Sequence, residues 1–239
     1  MVVAQALVSG LPLLVAIALG AAVGVLIGSF NGFLVTVVRV DSVIVTLGMP
    51  MLIAGVLSWQ WAGKAIVSGI SPELAAISRP LVFGVPTSAV IAVFIALIVW
   101  YVVRHTPFGR YLHATGSNRA AAALVGIRPT RVIFTTFVLS GALAGLAGAV
   151  QVGVAGAANP NVGQNFTLPA IAAVFLSVAA ISPGRFNVWG TCVAIVFLAV
   201  LNSGLTLAGA SSYVNNLANG TALIVGVATA ALLRRRSTK

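Results

Sequence analysis

From residue 11 to residue 38 the chain carries no charged side chain. That run exceeds the roughly 20 apolar residues a helix needs to cross a bilayer, and runs like it recur along the sequence. The whole chain is 60% hydrophobic and 6% charged, against roughly 25% charged residues in soluble domains. Too little polar surface is left to face water, so lipid must be the solvent for most of it. In lipid each backbone polar group has to be satisfied within its own element, which leaves helices or closed barrels. Barrel strands would alternate over about ten residues. Here the runs are continuous and rich in Ala, Leu, Val and Gly, so the expected fold is all-α: one polytopic transmembrane helix bundle spanning 1–239. It has about seven hydrophobic segments, at 11–38, 42–58, 81–103, 132–155, 166–182, 188–208 and 214–233. The second and fifth are short. Pro50 interrupts the second and Pro169 begins the fifth, so either can be a broken or re-entrant helix of the kind that lines transporter pathways.

The net charge is +11, from 13 basic and 2 acidic residues. In a soluble chain that would suggest nucleic acid. Here the basic residues sit between or after apolar runs, where they set orientation, and no nucleic-acid partner is expected. Loop 104–131 holds Arg104, Arg110, Arg119, Arg128 and Arg131 and no acid; Arg185 marks a later loop, and Arg234, Arg235 and Arg236 mark the tail. Loops 156–165 and 209–213 are uncharged. The alternation places the Arg-bearing segments and the C-terminus in the cytoplasm, loop 59–80 outside, the turn 39–41 inside and Met1 outside. Residues 1–10 contain no basic residue, unlike the start of a secretory signal peptide. Trp59, Trp61 and Tyr213 lie near expected outer edges, as interfacial anchors do. Cys192 is the only cysteine and sits in an apolar run, where packing is its role.

Gly20, Gly24, Gly28 and Gly32 draw a small-residue stripe down one face of the first span, and Gly141, Gly145 and Ala149 do the same on the fourth. Such stripes let helix backbones approach closely where lipid supplies no hydrophobic push. What is missing is also informative. Asp41 and Glu73 are the only acids and both fall in loops; no apolar run has a central ionisable residue, unlike most proton- or voltage-driven machines. Sodium coupling through backbone carbonyls stays open. Neither Lys64 nor Lys239 fits a phosphate-binding loop. No set of ligands or nucleophiles is available for a metal site or for hydrolysis. The chain is therefore expected to have no catalytic residues, no metal and no cofactor of its own, and to draw energy from elsewhere.

Segment 104–131 has helix punctuation. Ser117 or Asn118 can cap an N-terminus, Arg119 to Val125 is rich in helix formers, and Gly126 followed by Pro129 ends it. This short cytoplasmic helix fits either a groove on a partner or the lipid headgroups; the pattern leaves both open. His105 and His113 have no assigned role.

The loop resembles the cytoplasmic coupling segment of permease subunits of ABC importers of the ribose/xylose/galactose type. It carries Thr106-Pro107-Phe108-Gly109-Arg110, Gly116-Ser117-Asn118, Ala120 to Ala123 and Gly126-Ile127. Asn31-Gly32, Val43-Ile44-Val45-Thr46-Leu47-Gly48, Ala170-Ile171-Ala172-Ala173-Val174, Pro183-Gly184-Arg185 and Gly190-Thr191 match further segments in order, so the resemblance covers nearly the whole chain. Three departures stand out. Thr167 and Pro169 replace an acidic pair usual before the Ala-Ile-Ala-Ala-Val run. A Gly-rich turn is reduced to Ser182-Pro183-Gly184-Arg185. Helices usual before the first span are missing, so a shortened N-terminus is expected.

The resemblance implies a non-catalytic permease subunit of an ATP-driven importer, forming the pathway for a monosaccharide cargo. It implies an ABC ATPase subunit below, a second permease copy or paralogue beside it, an extracytoplasmic sugar-binding protein, and a bacterial inner membrane around it. Gly109, Arg110, Gly116, Ser117, Asn118, Ala121, Ala122 and Gly126 would couple to the ATPase. A neutral sugar needs hydrogen bonds and no counter-charge, which makes Asn31, Thr46, Asn202 and Asn216 the candidates for lining its path. Two other functions compete: a self-sufficient facilitator or sodium-coupled carrier, and a non-transport membrane scaffold.

Overall fold

The computed structural model describes residues 1–67, 74, 76, 78, 80–82, 84–181, 186–209 and 211–236. Glu73, the Ser182-Pro183-Gly184-Arg185 turn and Lys239 lie outside the described residues. The described elements are helical apart from a hairpin of two two-residue strands. In chain order they are α1 (Val2–Val8), α2 (Leu13–Phe33) extended by a π-helical turn (Leu34–Val38), α3 (Ser42–Trp61), β1 (Leu81–Val82), β2 (Val85–Pro86), α4 (Thr87–His105), α5 (Pro107–Ser117), α6 (Arg119–Leu124), α7 (Pro129–Ala155), α8 (Val162–Ala180), α9 (Val188–Leu207) and α10 (Ser212–Arg236).

Each of the seven apolar segments holds a helix. Among the described residues, Leu13–Val38, Ser42–Trp61, Thr87–His105, Pro129–Ala155 and Val188–Leu207 are long and apolar enough to span a bilayer, and Val162–Val178 is a shorter apolar helix. Their outer faces leave large side chains such as Leu14, Leu26, Ile44 and Val196 exposed, which is stable only where lipid covers them. Three features add to or differ from the sequence reading. The third segment opens with the antiparallel hairpin Leu81↔Pro86 and Val82↔Val85, and its helix begins at Thr87. Pro50 and Pro169 lie inside α3 and α8 and break neither helix. A proline removes one N–H and crowds the preceding turn, and neighbouring groups in a spanning helix can satisfy what it frees. Finally, α1 was not expected.

The chain divides into two compact units, Met1–Ile95 with Tyr101–Asn161, and Ala96–Trp100 with Val162–Lys239. In the first, α2 packs antiparallel on α7 along the two small-residue stripes. A Cβ on Gly24 would land on the Gly141 carbonyl, one on Gly20 would strike the Val3 side chain, and one on Gly145 would land on the Gly20 carbonyl. A Cβ on Gly28 would land on the Phe137 carbonyl. The partners descend by four as the glycines ascend by four, so one register holds across three pairs, about two turns. Below the glycines, Ala16 and Ala149 continue it into a core with Val3, Ala4, Leu7 and Val152, which seats α1. Ile66 and Ala158 exchange both backbone hydrogen bonds at 2.9 Å. The Asp41 carboxylate caps α3, accepting from the Val43 and Ile44 N–H groups at 2.8 and 3.4 Å.

In the second unit α8 packs against both α9 and α10, around Ala172, Ala173, Ala194 and Leu198. Asn187 fixes the start of α9: its carboxamide oxygen accepts from Gly190 N–H and its nitrogen donates to the Ser177 carbonyl at 3.0 Å. Trp100 meets Trp189 at a centroid distance of 6.2 Å.

Candidate coupling element and pathway residues

The segment read as one loop with one helix contains two helices joined at a corner. Thr106 leaves α4 in extended geometry, φ −99 and ψ 159, and its hydroxyl donates to the Val102 carbonyl at 2.6 Å. Pro107 then occupies the first turn of α5, where its missing N–H costs nothing. Gly109 is buried against the end of α4; a Cβ there would land on the Val103 carbonyl. Glycine at 109 is thus what allows α5 to fold back so tightly. His113 Nδ1 lies 2.8 Å from the Gly109 carbonyl, and His105 stacks on Tyr101 at 5.2 Å.

Of the two caps that the sequence allowed, Asn118 serves. Its backbone is extended, and its side-chain oxygen accepts from Ala120 and Ala121 N–H at 3.0 and 3.1 Å. Ser117 instead ends α5. At the other end Gly126 is left-handed, φ +83. Ile127 N–H donates to the Ala122 carbonyl and Gly126 N–H to the Ala123 carbonyl, both at 3.1 Å, the paired bonds of a Schellman stop. Gly116 and Arg110 are exposed on α5.

The structure separates two residues that the sequence reading treated alike. Ala122 is 3% exposed and Ala121 is exposed. With Ala121 on the open side lie Leu124, 89% exposed, and Val125, 75% exposed. These three share a face, being three and four positions apart. Sequence reasoning missed Leu124 and Val125 as members of the surface, although their spacing from Ala121 was the available signal.

The four pathway candidates fall two in each unit. Asn31 on α2 has a buried Oδ1 with no hydrogen-bond partner. Thr46 on α3 is exposed, and its hydroxyl bonds within its own helix, to the Ser42 carbonyl at 2.9 Å. In the second unit Asn202 Nδ2 donates to Asn219 Oδ1 at 3.0 Å, and Asn215 Nδ2 donates to Thr206 Oγ1 at 3.1 Å. These are two rungs of one antiparallel ladder between α9 and α10, one helical turn apart. Asn202 and Asn215 each keep a buried Oδ1 without a partner. Asn216 is exposed next to this ladder and is not part of either rung. Thr206, Asn215 and Asn219 were not singled out from sequence; four-residue spacing on each helix was the signal. Among the described residues no three His, Cys, Asp or Glu side chains converge as metal ligands would.

Residues 1–233 match the family model described as branched-chain amino acid transport system / permease component. Among curated relatives, the ribose import permease protein RbsC of Escherichia coli (strain K12) is 36% identical over 219 residues, covering 90% of this chain and 68% of the relative. The D-allose transport system permease protein AlsC of the same strain is 28% identical over 236 residues, covering 98% of this chain and 72% of the relative. The autoinducer 2 import system permease protein LsrD of Photorhabdus laumondii is 30% identical, covering 92% and 67%. No solved structure matches. With several apolar spans and this likeness along almost its full length, the chain belongs to the family of permease components of ABC importers and is an integral membrane transport subunit, not an enzyme.

Proposed function

We propose that this permease imports a monosaccharide across a bacterial inner membrane and is driven by a separate ABC ATPase through segment 104–131, with the C-terminus in the cytoplasm. The observation that carries the coupling role is the exposed apolar face of α6, formed by Ala121, Leu124 and Val125 between the Asn118 cap and the Gly126 stop. An apolar face held between two fixed ends in an Arg-bearing, lipid-flanking segment is suited to a groove on a protein partner. Closure of the ATPases on ATP would move Gly116 to Gly126 as one piece with α5, since Gly109 and Arg110 lie where α5 folds onto α4. That motion would bias the spans between outward- and inward-open states. A second permease copy or paralogue would complete the pathway, and an extracytoplasmic sugar-binding protein would deliver the cargo. The names of two relatives, ribose and D-allose permeases, support a monosaccharide cargo. Within the pathway we assign Asn31 and the Asn202 ladder as the groups that meet sugar hydroxyls, because each offers an unpartnered acceptor; Thr46 and Asn216 would be peripheral to it.

The test compares Ala121→Trp and Leu124→Asp in cells that make the ATPase. Both are expected to insert normally, to lose uptake of the transported sugar, and to release the ATPase on purification. Full uptake by well-inserted variants at both positions would reject α6 as the docking element. Transport by this chain alone in liposomes, without an ATPase, would favour the facilitator.

A further inference from the structure

We infer that a cavity beside the coupling helix binds a phosphate group, supplied by an anionic phospholipid, between Arg39 and Arg119. The cavity holds about 440 Å³ and lies within the first unit, between the turn that joins α2 to α3 and the segment that carries α6. That size falls within the range of small-molecule sites. Its polar lining consists of Arg39, Arg119, Asp41, Thr36, Ser42 and Thr130.

The donors available there are mainly the two guanidinium groups. Thr36 spends its hydroxyl on the Gly32 carbonyl at 2.6 Å. One Asp41 oxygen is engaged in capping α3, accepting from Val43 and Ile44. Neither Arg39 nor Arg119 has an ion-pair or side-chain hydrogen-bond partner among the described residues. Two arginines against one aspartate leave a net positive cavity, and the planar fork of arginine matches phosphate oxygens in pairs.

The backbone at residue 39 offers a clean substitution. Arg39 ends the π-helical turn in the left-handed region, φ 65 and ψ 30. Glycine adopts that region without strain and other residues do not. Arginine thus sits where glycine would be unstrained, a geometry that also closes α3 at Ala62. The strain is compatible with a role for the side chain, and the guanidinium pair carries the inference.

A lipid is the favoured source because of what surrounds the turn. It joins two membrane-length apolar helices, Leu13–Val38 and Ser42–Trp61, so it lies at a bilayer boundary. Val37, Val38, Val43 and Ile44 flank it with exposed apolar surface that acyl chains can cover. Arg119 is the first residue of α6. A phosphate held by both arginines would therefore tie the coupling helix to the turn between two spans.

The test uses the full chain in nanodiscs made of phosphatidylcholine with or without phosphatidylglycerol, and in detergent with inorganic phosphate. Retained lipid is read by native mass spectrometry, and phosphate binding by a shift in melting temperature. Phosphatidylglycerol is expected to stay bound. Arg39→Gly removes the guanidinium and relieves the left-handed strain, so loss of binding in that variant is not a folding failure. Arg39→Gly and Arg119→Gln should each weaken retention roughly tenfold, as expected for losing charge-assisted hydrogen bonds. Arg131→Gln, outside the cavity, should not. Stabilisation by inorganic phosphate alone, lost in the same two variants, would keep the site and assign it to free phosphate. Equal retention in all three variants, or no binding of either probe, overturns the inference.

Discussion

Gly24→Ala is a sharp test of how the first unit is held together. Its new Cβ would land on the Gly141 carbonyl, and its next contacts are the Gly141 carbonyl carbon at 3.0 Å and Gly145 N at 3.1 Å. All three are backbone atoms, so no side chain can turn aside, and α2 and α7 must separate. Overpacking of this kind costs about 1–3 kcal/mol. Alanine returns about 1 kcal/mol through its better helix propensity, leaving a net loss of up to about 2 kcal/mol against the parent. Against Gly55→Ala, which gains the same propensity, the full cost of about 1–3 kcal/mol remains. Leucine at the same site should do more, since its branches meet the same backbone. The controls come from the structure. Ala21 is a poor one, because its Cα lies 2.9 Å from where a Gly145 Cβ would sit. Ala22 is exposed on the same helix, and Gly55 on α3 has nothing within 4 Å of its built Cβ. Ala22→Leu and Gly55→Ala should therefore melt at or above the temperature of the parent. The assay is the apparent melting temperature of detergent-purified protein, followed by loss of the monodisperse chromatographic peak at one fixed heating rate. If Gly24→Ala melts with Gly55→Ala, the helices do not touch at that crossing and the shared register is wrong.

Other changes test the coupling segment, the orientation and the ladder. Asn118→Ala removes both cap bonds and should destabilise α6 by about 1 kcal/mol; slower uptake with unchanged insertion would be read in a transport assay. Gly126→Val forces a β-branched residue to positive φ and should reduce ATPase co-purification more than Gly116→Ala, since Gly116 has open space around it. Cysteines at Ser117 should be shielded from impermeant thiol reagents in intact cells while those at Asn161 and Ser211 label, in a Cys192→Ser background; the reverse pattern would invert the topology. Asn219→Leu removes one interhelical rung and should lower stability by about 0.6–1.7 kcal/mol, measured by the same melting assay.

Much of this architecture was legible because it depends on local rules. Hydropathy located the helices of the seven apolar segments, since a chain this apolar must satisfy its backbone within each span, and missed the short apolar α1. The Asn118 cap and Gly126 stop were legible because capping involves only neighbouring residues. The glycine stripe announced a close contact, but the period says nothing about which helix fills it; that required the pairing of 24 with 141 and 28 with 137. The α5 helix was read as loop because it is polar and ends in Gly116-Ser117, although Thr106-Pro107 is a regular opening for a helix. The ladder escaped for a different reason. Asn202 and Asn219 become partners only when α9 and α10 are set in register, and polarity alone cannot tell Asn216 from Asn215.

The same dependence on register decides how α6 should be understood. Consecutive residues on a helix point about 100° apart, so Ala121 and Ala122 cannot both face a partner. Ala122 is spent inside the chain, and Trp there would test packing rather than docking. Ala121 offers a flat spot beside Leu124, the one large apolar side chain on that helix and almost wholly exposed. As the proposed docking surface, one small and one projecting side chain would fit a shallow apolar pocket sized for leucine on the partner. Such a contact is narrow, so its strength rests on how firmly α6 is presented. The two cap bonds from Asn118 and the left-handed Gly126 fix both ends of a helix too short to be stable by itself. Gly109 in turn anchors the preceding helix to α4. If α6 docks as proposed, force applied at Leu124 would pass to α4 through this glycine corner rather than be lost in a flexible loop.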